Sequence, residues 1–429
     1  WGSTHPYIKN GGKKMGKNEL LEGMYQAAYR ELTENILPWW SGCAFDKKQG
    51  MFVGRVTIQN EMDFNAPRHI ILTTRLLWTF SKAAKILHQD KWLFYAERAY
   101  CYLTDFFEDK EYGGYFTQVG PDGQVLDSTK SVYGNAYAVY ALAEYGAASG
   151  DQKAVQKAMG VFSLLLDKAY DWQYKGFLES FTRNWERAPW VQGMSRTPFD
   201  EKTMNTQLHV LEAFTTLYKV TGNALVKYWT RSQLQLLVQK VVDPVSGHFY
   251  FFQRKDWTPT TCEFSNGHDI EGSWLMWDTA RALGEAELLQ LVGPVCVCMA
   301  RVCSEVGVTE DGAVISEVNP QTGKKTRYWS WWEQTEAVVG FLNAWEMTGE
   351  SHFLQISKKI LDFTLRHFVD KAGGGWFPRL NAETNCPWPD QCKADYWIGP
   401  YHNARMCMEL MERCDHGKTG EVENENFDF

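Results

Sequence analysis

Apolar residues recur along this chain at i, i+3, i+4 and i+7, the period of a helix with one buried face, through twelve segments. They lie at roughly 17–37, 68–88, 91–109, 132–149, 151–170, 202–221, 224–242, 268–283, 285–305, 330–348, 351–369 and 400–413. Four of the pairs are joined by tight glycine turns: Ser149-Gly150-Asp151, Thr221-Gly222-Asn223, Leu283-Gly284-Glu285 and Thr348-Gly349-Glu350. Another pair uses His88-Gln89-Asp90. Glycine just past a helix end takes the left-handed conformation that closes it, and the Asp, Asn or Glu that follows starts the next helix.

Between the pairs a short Gly-aromatic turn repeats. Its copies are Gly50-Met51-Phe52, Gly113-Gly114-Tyr115-Phe116, Gly176-Phe177-Leu178, Gly247-His248-Phe249-Tyr250, Gly312-Ala313-Val314 and Gly375-Trp376-Phe377. An even spacing of about 63 to 71 residues marks one structural unit used six times. Helix pairs of this kind, with a C-terminal helix left over to pair with the N-terminal one, predict an all-α fold closed into an (α/α)6 barrel. The more apolar first helix of each pair would form the inner wall, and the Gly-aromatic turns short β-hairpins on the rim. An open superhelical stack uses the same unit; the matching ends favour closure.

Composition narrows the setting. Hydrophobic residues at 44% and charged residues at 22% suit a soluble protein with a large core. A net charge of -8 argues against a nucleic-acid partner. No window of about 18 apolar residues stands out, so no membrane span is expected. Residues 1–14 are polar and Gly-rich without an apolar signal core; they read as an expression-vector scar, with Met15 a native start. Residues 15–414 read as one catalytic domain, and 415–429 as an acidic disordered tail. Ten cysteines without a CxxC pair suit a reduced, cytoplasmic protein, expected to be a monomer. Cys296, Cys298 and Cys303 share one apolar helix and read as core rather than metal ligands. The 19 tryptophans either enlarge the core or line a pocket, where flat rings stack on sugar faces.

The polar residues of the inner helices fall in equivalent places. Arg75 lies on the first, Tyr133 and Asn135 open the second, and Asn205 and His209 follow on the third. His268 and Glu271 open the fourth, Trp331, Trp332 and Glu336 the fifth, and His402 starts the last. Inner helices of a ring run the same way, so these residues converge on one mouth. Asn205 and His209 are four apart and His268 and Glu271 three apart, so each pair shares a helix face. At the helix start His268 is driven towards the neutral imidazole, while a nearby Glu271 would favour the imidazolium. A base poised near neutrality suits proton abstraction from carbon.

Each has a plainer reading. A single histidine on an inner helix is usually a hydrogen-bonded core residue; three at one layer point to chemistry. His88, His248, His352 and His367 fall on outer helices or turns and read as ordinary. Arg75, flanked by apolar residues, needs a polar or anionic partner and would find it in a structural ion pair or in a sugar or enediolate oxygen. Adjacent Trp331 and Trp332 face different ways, so at most one aims well at the pocket. No HExxH run or carboxylate rhythm suggests a metal, and no Gly-rich phosphate loop a nucleotide, so no cofactor is expected. Glycoside hydrolysis by paired carboxylates is the competing chemistry. The inward set is richer in histidine, which favours proton transfer at carbon.

Four segments carry a resemblance: Ser265-Asn266-Gly267-His268-Asp269-Ile270-Glu271-Gly272-Ser273-Trp274, Asn205-Thr206-Gln207-Leu208-His209, Thr73-Thr74-Arg75 and Asp395-Tyr396-Trp397-Ile398-Gly399-Pro400-Tyr401-His402. Over residues 17–413 the chain resembles the N-acylglucosamine 2-epimerase superfamily, and within it the disaccharide epimerases. That resemblance implies an (α/α)6 barrel without a cofactor. The implied reaction inverts C2 of the reducing-end glucose of β-1,4-linked disaccharides, turning cellobiose into 4-O-β-glucosyl-mannose, with lactose and mannobiose as further substrates. In the implied mechanism the ring opens, a histidine removes the C2 proton, and a cis-enediolate forms. After rotation about C2–C3 a second histidine protonates the other face. The resemblance makes His268 and His402 the acid/base pair, with His209 assisting ring opening or holding O1 and Arg75 bonding the enediolate oxygens. Glu271 would orient His268. Asn205, Tyr133 and Glu336 would contact substrate, and Trp397 with one of Trp331 and Trp332 would stack the sugars. N-acylglucosamine epimerisation, aldose–ketose isomerisation and hydrolysis on the same barrel are the alternatives.

Overall fold

The computed structural model describes residues 16–188 and 200–419. The expected vector scar and the last ten residues of the expected tail lie outside the described residues. The helices are α1 Lys17–Arg30, α2 Leu37–Cys43, α3 Ile70–Leu87, α4 Lys91–Tyr102, α5 Val132–Ser149, α6 Gln152–Lys168 and α7 Met204–Thr221. They continue as α8 Ala224–Leu236, α9 Asn266–Leu283, α10 Ala286–Val306, α11 Trp331–Thr348, α12 Ser351–His367 and α13 Tyr401–Thr419.

Six of these form a closed inner ring. Helix α3 packs on α5, α5 on α7, α7 on α9, α9 on α11, α11 on α13, and α13 returns to α3. Each has an outer partner, and α1 is the outer partner of α13. The fold is therefore an (α/α)6 barrel, not an open stack. Position in the ring explains composition. Helix α5 is buried from Val132 through Gly146, so it is apolar nearly all round. Outer α6 buries only a stripe of Ala154, Ala158, Val161, Phe162, Leu165 and Leu166.

The ends of the inner helices follow the expected chemistry. Ser131, Thr203 and Ser265 cap α5, α7 and α9 by accepting from the amides of Gly134, Thr206 and His268. Gly150, Gly222, Gly284 and Gly349 close their helices at positive φ, and His88 does the same at φ 51°. Several boundaries differ. Two-residue strands occupy 68–69 and 202–203, so α3 and α7 start later than the periodicity suggests. Wider π turns at Glu31–Ile36, Leu103–Phe107 and Leu237–Val241 end or interrupt three outer helices where a uniform period predicts continuity. Helix α13 reaches Thr419, so the first residues of the expected disordered tail are helical. Helix α10 is long and apolar enough to cross a membrane by length and composition, which corrects the expectation that no such stretch exists. Here it is the outer partner of α9, with Cys296 and Cys303 buried and Cys298 exposed.

All six Gly-aromatic turns are small antiparallel hairpins: Phe45 opposite Phe52, Glu108 opposite Tyr115, Tyr170 opposite Phe177, Val242 opposite Phe249, Val308 opposite Val314 and Val369 opposite Trp376. Gly114 and Gly176 sit at φ 71° and 75°, in the left-handed region that glycine enters freely. A Cβ at Gly114 would lie 2.7 Å from Trp185, and one at Gly176 would lie 2.5 Å from Trp257. An inner-helix side chain pins most of the turns by accepting a backbone amide. Asn135 takes that of Tyr115 (2.8 Å), Gln207 that of Phe177 (3.1 Å), Asp269 that of Phe249 (2.8 Å) and Gln334 that of Val314 (2.8 Å). Asn35, on the outer side, takes that of Gly375 (2.7 Å). Asn135, grouped with the candidate pocket residues by its position, is thus a structural clamp.

Candidate active site

The inner helices deliver their first turns to one end of the barrel, around a cavity of about 490 Å³. Arg75, Tyr133, Asn205, His209, His268, Glu271, Trp331, Trp332, Trp397 and His402 all line it. Of the eleven site residues expected from sequence, only Glu336 lies behind this surface. The mouth adds rim residues that the periodicity did not mark, among them Arg55, Tyr328, Arg379, Asp390 and Gln391.

His268 and His402 flank Trp332, whose ring centroid lies 4.6 Å from one and 5.5 Å from the other. Gly267 permits this approach: a Cβ there would lie 2.9 Å from the Trp332 ring and closer still to Glu333. Trp332 is therefore the tryptophan set between the histidines, while Trp331 stands 6.3 Å edge-on from His402. The two histidines differ in support. His268 Nδ1 lies 2.8 Å from the Ser265 hydroxyl, a neutral partner. His402 Nδ1 lies 2.7 Å from Glu336 Oε1, a partner that fixes the ring and favours its charged form.

Burial dominates their titration. Desolvation of the half-buried ring, with His209 nearby, lowers His268 to about 3, and burial with Arg75 and Arg405 pushes His402 well below the usual imidazole range. Burial also lowers His209, opposed by Glu212, whose Oε2 lies 2.8 Å from its Nδ1. All three are neutral at rest, which corrects the expected balance at His268. The imidazolium-favouring carboxylate assigned to it is not there.

Glu271 bonds Arg405 instead, with Oε1 2.5 Å from Nη2. Glu336 Oε1 accepts from the same Nη2 at 2.7 Å, and Glu212 accepts from Nη1. Arg405 is thus a buried hub for three carboxylates, two of which hold histidines. Neither expected carboxylate role stands in the geometry: Glu271 does not orient His268, and Glu336 is behind His402 rather than on the cavity wall. Burial and then the Glu336 charge push Glu271 well above the usual carboxylate range, with Arg405 opposing. Burial likewise opposes ionisation of Glu212, yet Arg405, His209 and Tyr401 hold it down at about 2. Arg405, Glu212 and Tyr137 escaped the sequence reading because each sits inside an apolar helical run, where a buried polar residue leaves no spacing signal. A cationic residue within the apolar stretch of the last inner helix was the one available hint.

Arg75 is 3% exposed and has no carboxylate partner among the described residues. Its Nη2 donates to the hydroxyls of Tyr133 (3.0 Å) and Tyr137 (3.3 Å), and Nη1 to the Trp397 carbonyl (3.0 Å). Its guanidinium lies over the rings of Tyr137 and Tyr401 at 5.0 and 5.3 Å. A buried cation held by neutral groups has electrostatic capacity left for an anion formed in the cavity. Asn205 also presents a buried carbonyl oxygen without a donor among the described residues.

Glu271, Glu336 and His402 bring potential metal-ligand atoms within 4.8 Å of one another. The Arg405 guanidinium already bonds both carboxylates, so the cationic position of that cluster is filled by the protein. The same bonds leave neither carboxylate free as a paired acid and nucleophile for glycoside hydrolysis.

Comparison with known proteins places this architecture. The profile of the N-acylglucosamine 2-epimerase (GlcNAc 2-epimerase) family matches residues 50–398. A cellobiose 2-epimerase of Bacteroides fragilis is 37% identical over 394 residues, 92% of this chain and 99% of the relative. The structure of a cellobiose 2-epimerase from Spirochaeta thermophila superposes with a TM-score of 0.84 at 35% identity, over 92% of this chain and 97% of that one. A sugar epimerase from a ruminal bacterium superposes with a TM-score of 0.87 at 32% identity, over 91% and 99%. The fold and these likenesses define a carbohydrate isomerase, one that epimerises at C2. The chain belongs to the N-acylglucosamine 2-epimerase family.

Proposed function

We propose that the chain reversibly inverts C2 of the reducing-end glucose of a β-1,4-linked disaccharide, converting cellobiose to 4-O-β-glucosyl-mannose and lactose to epilactose. The observation that carries this reading is the placement of His268 and His402 on one cavity, either side of Trp332, with Arg75 among its walls. Inversion at carbon needs one group to take a proton and another to deliver one to the opposite face. His268, neutral with only a hydroxyl partner, suits removal of the C2 proton in one direction. His402, backed by Glu336, suits its return, and the roles exchange in reverse.

Proton balance is simple. The C2 hydrogen leaves as a proton on one imidazole; once the anionic enediolate has formed, the other imidazole, neutral at rest, takes a proton from solvent and gives it to C2, and loss of the first imidazole's proton to solvent resets the pair. The enediolate between these events is anionic. Its charge offsets the desolvation that keeps the histidines neutral at rest, and Arg75 stabilises it where charge appears only along the path. His209, held by Glu212, is assigned the proton movement at O1 that opens the ring. Asn205 and Tyr133 are assigned substrate hydrogen bonds, and Trp332 and Trp397 sugar stacking. Ten cysteines, none in a disulfide, support a reducing, cytoplasmic setting.

A product profile by NMR on cellobiose, lactose, glucose and N-acetylglucosamine tests the assignment. Epimers of the two disaccharides alone support it. Turnover of N-acetylglucosamine alone, ketose as the first product, or glucose released from cellobiose would sink it.

A further inference from the structure

The barrel has a second cavity at its other end, about 700 Å³ in volume, among the last turns of the inner helices. Two features set it apart from a surface depression. Trp78 and Arg405, 4% and 1% exposed, both line it, and Trp78 Nε1 and Arg405 Nε carry N–H groups with no acceptor among the described residues. Its floor is also the back wall of the catalytic cavity. His209 and Glu271 face the catalytic side. One hydrogen bond behind them stand Glu212, 2.8 Å from His209, and Arg405, 2.5 Å from Glu271, and these two line the second cavity. The wall is one layer of hydrogen-bonded side-chain pairs, one member of each pair facing each cavity.

The lining chemistry selects a ligand class. Its charges are paired, Lys85 with Glu144 at 2.8 Å and Lys219 with Asp278 at 2.7 Å, so the site offers no net attraction to an ion. The Trp78 face is occupied by Tyr140 at 5.3 Å, and the Trp274 ring by Arg405 and Arg413. Stacking is unavailable and hydrogen bonding remains. Buried donors without acceptors, in a space of ligand size and walled by polar side chains, fit hydroxyl oxygens. We infer that this second cavity binds a small neutral polyol, an alditol or free hexose, and that the bound molecule is felt by the catalytic histidines across the Glu212–Arg405 wall. A hydroxyl accepting from the free Arg405 Nε adds a partner that the three carboxylates do not use and draws the guanidinium towards the second cavity, loosening the support of His209 and His402 and lowering turnover. The binding stands independently of the acid/base assignment; the coupling rests on it.

Sorbitol is a suitable probe, since it has no C1 aldehyde or hemiacetal to react. Sorbitol in the catalytic cavity raises KM alone, whereas sorbitol in the second cavity lowers kcat. Ala147→Trp and Thr216→Trp, on two different helices, fill the second cavity without touching the histidine network. Calorimetry should count two sorbitol sites in the wild type and one in each variant. Saturating sorbitol should lower wild-type kcat severalfold and leave the variants with the KM effect only. A single site unaffected by the substitutions overturns the binding, and a second site without any change in kcat overturns the coupling. The calorimetric count is read whether or not the chain epimerises disaccharides, so its failure is distinct from failure of the proposed function.

Discussion

Glu336 Oε1 and His402 Nδ1 lie 2.7 Å apart, both side chains all but fully buried, and the same carboxylate oxygen accepts from Arg405. A carboxylate so placed fixes which imidazole nitrogen faces the cavity and supports the charged ring when a proton arrives. Glu336→Gln keeps the shape and removes that support. We expect kcat to fall about 10²-fold with KM nearly unchanged, on the scale of general acid–base contributions. Steady-state kinetics on cellobiose would show the opposite split, a raised KM at normal kcat, were Glu336 a substrate contact.

Glu271 should behave differently. Burial and Glu336 push its carboxyl well above the usual range, which favours the protonated form, and Gln is its near-isosteric neutral replacement. Glu271→Gln is expected to stay within severalfold of wild-type kcat and to leave the acid limb of the pH–rate profile in place. A loss as large as that from Glu336→Gln would return Glu271 to the catalytic group.

Arg75 separates activity from stability. It is buried without a carboxylate, so folding gains little from its charge. Arg75→Met should lower kcat by about 10²–10³, the cost of removing a donor aimed at developing negative charge. Its midpoint of thermal unfolding should be unchanged or higher. Equal losses of stability and activity would identify Arg75 as structural.

The histidines also leave a signature in stability. His268 is lowered from 6.5 to about 3, so between those values the unfolded chain binds a proton that the folded one does not. Its contribution is present in full above pH 6.5 and is lost as pH falls towards 3. The difference in unfolding free energy between wild type and His268→Gln, followed by urea titration, should therefore shrink with acidification through that window. A pH-independent difference would mean that His268 is not held desolvated as a neutral ring.

Repetition made the fold legible. Gly150, Gly222, Gly284 and Gly349 each end an inner helix, and the six Gly-aromatic turns each form a hairpin, so chain order alone gave the ring. The same logic brought Arg75, His209, His268 and His402 to one mouth, because inner helices share a direction. What periodicity cannot give is the partner of a side chain. Glu271 is three residues from His268 and shares its helix face, yet its carboxylate reaches Arg405, 134 positions away. His268 turns to its own cap, Ser265. The Gly267–Glu271 run reads as one catalytic motif, but its members divide. His268 faces the cavity, Gly267 admits Trp332, Asp269 clamps Phe249 and Glu271 ties into the hub.

Proton transfer at C2 by two histidines is the step on which inversion by this chain depends. Cellobiose incubated with the enzyme in heavy water, followed by NMR, tests it most directly. Wild type should yield the C2 epimer with solvent deuterium at C2, and His268→Ala and His402→Ala, both folded by circular dichroism, should each lose at least about 10²-fold of that exchange. Epimer formed without deuterium at C2, or near-normal exchange in either variant, would contradict the account.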